Sequence, residues 1–322
     1  MEIDRKELKR RAKESMALTQ PRPWVVALVF FLLTVGLNFL GYFLPVPNDP
    51  FSGFGLLTLF FSLFVLLFRT VVNFGYELWA LWTSRRLDPG LGSLTQGFSV
   101  AGRVLLMELG VALRTLGWGL LGAMVVSTVL SAPLLMSSPT AFPLLLLLTV
   151  GCTYAWIWSV MLRYSLAPFL LADRPDDGAS AAIRRSIDLM RGWRWELFKV
   201  EFSFAGWYIL EFIFSTLALA VCLWLSGFYQ YLDAFAIGDI PLLMSGYNLW
   251  SNGFALDILE LTQAQMELID RFGTIINSTV ATIATQLATL PVFLLFSPYR
   301  GVTRAEFYQA RLQVQQESAP PL

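Results

Sequence analysis

Long apolar stretches separated by short polar or charged segments dominate the pattern along this chain. A helix that crosses the hydrocarbon core of a bilayer needs about 20 mostly apolar residues. Six stretches reach that length, and they predict six transmembrane helices at 24–43, 54–82, 104–130, 143–171, 198–228 and 274–296. The first is longer than the core of a cleavable signal peptide, and no small-residue cleavage site follows it. We therefore expect it to remain as a signal anchor.

Composition supports a chain that is solvated by lipid. Of its 322 residues, 56% are hydrophobic and 14% are charged. Soluble domains average about 25% charged residues. A soluble domain of this length has too little interior for so much apolar surface, so we predict an all-α integral membrane protein.

Basic residues near the predicted helices indicate the direction of threading. Because basic loops resist translocation, Lys and Arg collect on the cytoplasmic side. The segment before the first helix and alternate loops after it are rich in these residues, whereas the opposite loops contain only Arg271. Both termini are therefore predicted to lie in the cytoplasm.

The same pattern predicts three regions of the chain. Residues 1–23 form a basic cytoplasmic segment, 24–298 the six-span membrane domain, and 299–322 a cytoplasmic C-terminal tail. The membrane domain carries one long external loop, 229–273. Within that loop, 254–272 has the periodicity of an amphipathic helix on the outer rim, with Tyr247 and Trp250 as interface anchors. This helix is an ordered cap, a ligand lid or a partner-docking surface.

A basic amphipathic segment lies between the fourth and fifth predicted spans. Asp176 and Asp177 are placed to cap a helix over 181–190, with Ile183, Ile187 and Met190 on one face. Such a helix, flanked by tryptophans, is typical of the headgroup layer of a membrane. It is alternatively a loop that only sets topology. The predicted lipid contacts are Arg184, Arg185, Arg191, Trp193, Arg194 and Trp195.

Residues 163–207 carry a family resemblance. They contain Arg-Tyr-Ser-Leu-Ala-Pro-Phe at 163–169, Leu-Ala-Asp-Arg-Pro at 171–175, Ala-Ile-Arg-Arg-Ser at 182–186 and Trp-Glu-Leu-Phe at 195–198. This stretch, with 5–13 and 303–308, resembles the bacterial multi-pass membrane family known as domain of unknown function 975. The resemblance implies several membrane helices and supplies no catalytic residues. The external segment 229–273 is longer than the usual connection at this place in the family.

Ionisable residues inside the predicted spans form a candidate polar network. Charges in a bilayer usually face the bundle interior or a water-filled cavity. The predicted network consists of Arg69, Asn73, Glu77, Glu108, Arg114, Arg163 and Glu211. We expect Glu211 to pair with Arg114 or Arg69, and Arg163 to pair with Glu108 or Glu77. These residues form salt bridges that fix helix register, line a polar path or headgroup pocket, or perform catalysis.

The counts of histidine, cysteine and charged residues limit the classes of function that the chain is expected to have. Histidine is absent, only two cysteines occur, and 23 basic residues balance 23 acidic ones. No nucleic-acid partner, cofactor or metal site is expected, and no enzyme motif is complete. The sequence favours a non-enzymatic membrane accessory or scaffold protein that contacts lipids and other membrane proteins. The alternative is a carrier or permease for a small polar or amphipathic solute.

Overall fold

The computed structural model describes residues 4–41, 43–44, 53–135, 142–234, 243, 246–247, 251 and 261–317. Within these residues the secondary structure is helical and contains no β-strand. The chain divides into two units, the first comprising Met1–Phe204 with Leu295–Leu322 and the second comprising Ala205–Leu294. The predicted all-α fold is confirmed for the described residues.

The residues described before position 205 form ten α-helices. They are α1 Arg5–Leu18, α2 Pro23–Phe31, α3 Leu37–Gly41, α4 Gly53–Ser84, α5 Ser93–Gln96, α6 Ala101–Leu135, α7 Phe142–Met161, α8 Ala167–Asp173, α9 Ala179–Leu189 and α10 Arg194–Phe202. A π-helical turn, Leu32–Gly36, joins α2 to α3. In the later part of the chain the described residues include α11 Ala205–Leu225, α12 Gln263–Ile276 and α13 Thr279–Glu317.

Five helical segments are long and apolar enough to cross a membrane: Pro23–Gly41, Gly53–Ser84, Ser93–Val126, Ala205–Leu225 and Thr279–Glu317. They correspond to five of the six predicted spans. The predicted fourth span differs, because its helix ends at Met161 and the chain turns before α8 begins. Its described apolar portion is the shorter stretch Leu148–Met161. The sixth span therefore stays a prediction.

The core of the first unit is built from the C-terminal parts of α4 and α13 together with the short helices α8, α9 and α10. Buried side chains concentrate in 71–84 of α4 and in α8, α9 and α10. Residues 301–308 of α13 are also buried, apart from half-buried Arg304. The segment predicted as a C-terminal tail thus supplies much of this core.

Two glycines allow the loop before α6 to lie directly on α4. A Cβ at Gly75 would lie 2.3 Å from the carbonyl oxygen of Leu94, and one at Gly97 would lie 2.6 Å from that of Val71. No side chain fits at such distances. The two glycines therefore fix α5 and the following 3-10 turn against α4.

The basic amphipathic helix forms, but its apolar face packs on protein. Ala182 and Ile183 belong to a buried cluster with Val104 and Met107 of α6. Burial within the unit accounts for its periodicity, so the interfacial role is not confirmed. The predicted cap is wrong: Gly178 is the N-cap residue, with a φ of 82° that favours glycine. Asp176 and Asp177 lie in a 3-10 turn before it.

The second unit includes the described part of the predicted external loop. Helix α12 begins after a capping box in which Thr262 and Gln265 satisfy each other's backbone amides. Leu268 and Ile269 form a small buried cluster with Leu243, and Tyr247 packs edge-on to Phe272. The predicted helix started at 254. Its residues 254–260, and the predicted anchor Trp250, lie outside the described residues.

Candidate functional site

Four charged side chains converge in the core of the first unit. Arg300 Nε donates to Glu201 Oε2 at 2.8 Å, and Arg304 Nη1 donates to Glu77 Oε1 at 3.1 Å. Arg304 Nε lies 3.5 Å from Glu201 Oε1, which joins the two pairs. We call Glu77, Glu201, Arg300 and Arg304 the four-charge cluster. Two carboxylates and two guanidinium groups make it neutral.

Three members of the four-charge cluster are shielded from solvent, whereas the side chain of Arg300 is 38% exposed. The side chain of Glu201 is 8% exposed, and those of Arg304 and Glu77 are 18% and 22% exposed. Arg304 also donates to the carbonyl oxygen of Ser165, at 3.1 Å, in the turn before α8. Removing one partner from such a buried pair leaves an uncompensated charge, which is strongly destabilising. The cluster therefore ties α4, α10 and the turn before α8 to α13.

Further polar contacts tie α13 into the same core. Ser297 donates to the hydroxyl of Tyr76 at 3.0 Å, and Tyr308 donates to Asp173 at 2.7 Å. The carboxylate oxygens of Asp173 also accept hydrogen bonds from Nη1 and Nη2 of Arg85, each at 2.7 Å. The hydrogen bonding to Asp173 raises the pKa of the Arg85 guanidinium. These contacts hold the C-terminal half of α13 between α4 and α8.

The N-terminal helix closes another side of the core. Lys9 Nζ donates to the carbonyl oxygen of Ser203 at 3.0 Å and lies 4.2 Å from the ring centroid of Phe204. It thereby satisfies a carbonyl at the C-terminal end of α10, where a cation is favoured. Burial lowers the pKa of the Lys9 ammonium, and the positive charges of Lys13 and Arg5 lower it further.

The predicted polar network is only partly brought together. Glu77 enters the four-charge cluster, whereas Asn73 and Glu108 are exposed. Arg114 donates to the carbonyl oxygen of Gly110, at 2.9 Å, in its own helix. Arg69 lines a cleft of about 270 Å³ that also contains Asn38, Thr58 and Ser62.

The predicted pairing of Arg163 with Glu108 or Glu77 is wrong for the described residues. Glu77 binds Arg304, and the guanidinium of Arg163 lies 5.3 Å from the ring centroid of Trp118. Because α7 ends at Met161, Arg163 falls in the following turn rather than inside a span. Its carbonyl oxygen accepts a hydrogen bond from Ser186 of α9 at 2.9 Å.

Glu211 belongs to the second unit. It lines a pocket of about 350 Å³ together with hydroxyl and amide side chains: Tyr208, Ser215, Thr285, Gln286 and Thr289. Arg69 and Arg114 belong to the first unit, so the predicted pairing of Glu211 with either of them stays a prediction.

The predicted lipid-contacting residues have different surroundings. Arg184 is exposed, Arg185 is paired with Asp177, and Arg191 lies 3.8 Å from Asp188. Trp193 lies beneath Arg311, whose guanidinium is 4.1 Å from its ring centroid. The exposed Trp195 stacks on Phe198 at 4.8 Å. Arg194 is half-buried.

Arg300 and Arg304 are the residues that sequence reasoning missed. They follow the last apolar stretch and were assigned to a tail. A signal was present, because 297, 300, 304, 308 and 311 recur at the three- and four-residue spacing of one helical face. Among the described residues, no group of His, Cys, Asp or Glu is placed to hold a metal ion.

Comparison with known proteins gives one family match. The sequence model of the family described as "Protein of unknown function (DUF975)" matches residues 1–315. No curated protein and no solved structure matches the chain. The family match confirms the resemblance inferred from 163–207.

Proposed function

The chain belongs to the DUF975 family, and we propose that it is a non-enzymatic accessory or scaffold protein of the bacterial cytoplasmic membrane. In the proposed arrangement six helices cross the bilayer, with α7 as the fourth, and both termini are cytoplasmic. The basic segment around α9 and α10 lies at the inner headgroup layer. Lipids and other membrane proteins are the proposed partners.

The observation that carries this proposal is the four-charge cluster. Its two carboxylates are neutralised by two arginines of the same unit at 2.8 and 3.1 Å. Carboxylates held in this way stabilise a fold and are poorly placed for proton transfer or solute binding. A structural role for the buried charges is therefore favoured over catalysis.

Exposed apolar surface supports packing with lipid or membrane partners. Helix α11 has no buried residue, and Phe212 and Trp224 are 70% and 67% exposed. Apolar surface of this extent marks a membrane or protein interface. It is the surface expected of a protein whose partners are lipids and other transmembrane helices.

The pocket around Glu211 favours the alternative, a carrier for a small polar or amphipathic solute. It combines one carboxylate with hydroxyl and amide side chains in about 350 Å³. Ionisable groups in apolar helices mark solute paths in many transporters. A cationic or hydrogen-bonding solute would suit this lining.

Substitution of Glu211 separates the two functions. The variant Glu211→Gln is expressed at wild-type abundance in a deletion strain. If the protein is a scaffold, the variant restores the normal solute content of the cells and the normal co-purification of partner proteins. If the protein is a carrier, the variant accumulates but does not restore the solute content of the cells. Leu217→Ala, at an exposed position of α11 outside the pocket lining, is the matched control. Loss of uptake in Glu211→Gln alone would overturn the scaffold proposal.

A further inference from the structure

Arg163 and Arg194 are half-buried arginines of the first unit that form no ion pair among the described residues. The buried Nε atom of each lacks a hydrogen-bond acceptor. The acidic side chains nearest to Arg194 in the chain pair with other residues: Asp188 lies 3.8 Å from Arg191, and Glu196 Oε1 accepts from Lys199 at 2.5 Å. The other carboxylate oxygen of Glu196, the buried Oε2, has no hydrogen-bond partner. Two half-buried guanidinium groups are thus left with unused donors.

The segments that carry the two arginines are packed together, because the ring centroids of Trp158 in α7 and Phe198 in α10 lie 5.1 Å apart. Burial lowers the pKa of Arg194, and the positive charges of Arg163 and Arg191 lower it further. An arginine remains charged despite such a shift. Repulsion between them is relieved when an anion binds.

The surrounding fold holds each arginine in place. Ser186 of α9 donates to the carbonyl oxygen of Arg163, and the same hydroxyl accepts from the amide of Leu166 at 3.3 Å. Arg194 begins α10 directly after Trp193, which is covered by Arg311. The backbone at both positions is therefore held by neighbouring helices, Arg163 by α9 and Arg194 by the start of α10.

Trp118 contacts Arg163, and three further tryptophans lie on α7 and α10, the helices next to the two arginines. Trp118 lies under Arg163, and Trp156 donates from Nε1 to the carbonyl oxygen of Trp118 at 3.0 Å. Trp158 packs on Phe198 at 5.1 Å, and Trp195 stacks on the same ring. All four tryptophans are more than 40% exposed. Tryptophan is enriched at the level of lipid headgroups.

We propose that Arg163 and Arg194 form a binding site for the phosphate group of an anionic glycerophospholipid, with Trp118 as one wall. The guanidinium fork matches phosphate oxygens, and charge-assisted hydrogen bonds of this kind are the strong ones. The exposed tryptophans contact the upper part of the acyl chains. This inference rests on the proposed membrane location and adds a defined lipid site to it.

Lipid titration of the purified full-length chain tests the site. Apparent dissociation constants are measured by native mass spectrometry in detergent for phosphatidylglycerol, phosphatidylcholine and inorganic phosphate. Wild type should prefer phosphatidylglycerol over both. Arg163→Gln and Arg194→Gln should each weaken that binding about tenfold, because each removes a charged hydrogen-bond donor. Arg194→Lys, which keeps the charge but loses the fork, should fall between them and wild type.

Arg184→Gln is the matched control, because it removes one charge from an exposed position on α9. It should change phosphatidylglycerol binding less than twofold. Equal losses in Arg184→Gln and Arg194→Gln would show unspecific charge attraction and overturn the site. Equal affinity of wild type for inorganic phosphate would overturn a lipid as the ligand. Each variant is also fractionated from cells, since a chain found outside the membrane contradicts the proposed function rather than this site.

Discussion

Two carboxylates near the ends of apolar helices, Glu77 and Glu201, obtain their counter-charges from arginines more than 90 positions away along the chain. The arginines lie four residues apart on one face of α13, so one helix satisfies both carboxylates. The positions of the charged residues inside the predicted spans suggested partners within those spans. That reasoning failed because 71–84 of α4 is packed in a protein core, where Glu77 meets α13 instead.

Substitution of Glu201 tests how much the four-charge cluster contributes to the stability of the fold. Glu201→Gln leaves the half-buried Arg300 and Arg304 with one carboxylate between them. The free energy of unfolding should fall by about 3–5 kcal/mol, the typical cost of breaking a buried pair. Thermal unfolding of the purified protein in detergent measures this loss. Glu267→Gln, at an exposed position, is the control and should unfold like wild type; equal stability of both variants would contradict a structural role.

Glu7 provides a pH-dependent prediction outside the membrane. Hydrogen bonds from Arg10 and Arg11 lower its pKa from 4.5 to about 2. The ion pairs of α1 therefore contribute stability above pH 4.5, and that contribution is lost as the pH falls toward 2. Carbon-detected NMR of labelled glutamate should give a midpoint near 2 in wild type and nearer 4.5 in Arg10→Gln. Lys6→Gln should leave the midpoint in place, and a wild-type midpoint near 4.5 would refute the ion pairs.

Helices of this chain were predictable to different degrees. Apolar length alone located five segments that can cross a membrane, since no other element accommodates such stretches. The break after Met161 was not predictable from apolar length, because Leu162, Tyr164 and Leu166 continue the apolar pattern through the turn. Periodicity also located α9, but period alone does not distinguish a face that contacts lipid from one that contacts protein.

Close packing of α5 on α4 leads to a prediction for Gly75. Gly75→Ala places a methyl group 2.3 Å from the backbone oxygen of Leu94, which cannot move as a side chain does. We expect a loss of about 1–3 kcal/mol in the free energy of unfolding, as for other overpacked sites. Gly102→Ala, where nothing lies within 4 Å, is the control in the same thermal assay. Unchanged stability of Gly75→Ala would mean that α5 does not lie on α4.

The first unit is organised around the C-terminal half of α13. Residues 297–311 contact α1, α4, α8, α9 and α10 through Ser297, Arg300, Arg304, Glu306, Tyr308 and Arg311. The family match extends to residue 315 and therefore includes these closing residues. From the sequence alone, the polar stretch 299–322 after the last predicted span was interpreted as a tail, because the residues that it contacts were not known. Only the tertiary structure identifies it as the centre of a core.

Thiol labelling in intact cells most directly tests whether this core faces the cytoplasm beneath a lipid-embedded bundle. Single cysteines are introduced at Arg184, Glu317 and Thr262 after Cys152 and Cys222 are replaced by serine. A membrane-impermeant maleimide should label the cysteine at 262 in intact cells, and those at 184 and 317 only after the membrane is opened. Labelling of the cysteine at 184 from outside, or a chain that remains monomeric in buffer without detergent, would contradict the account.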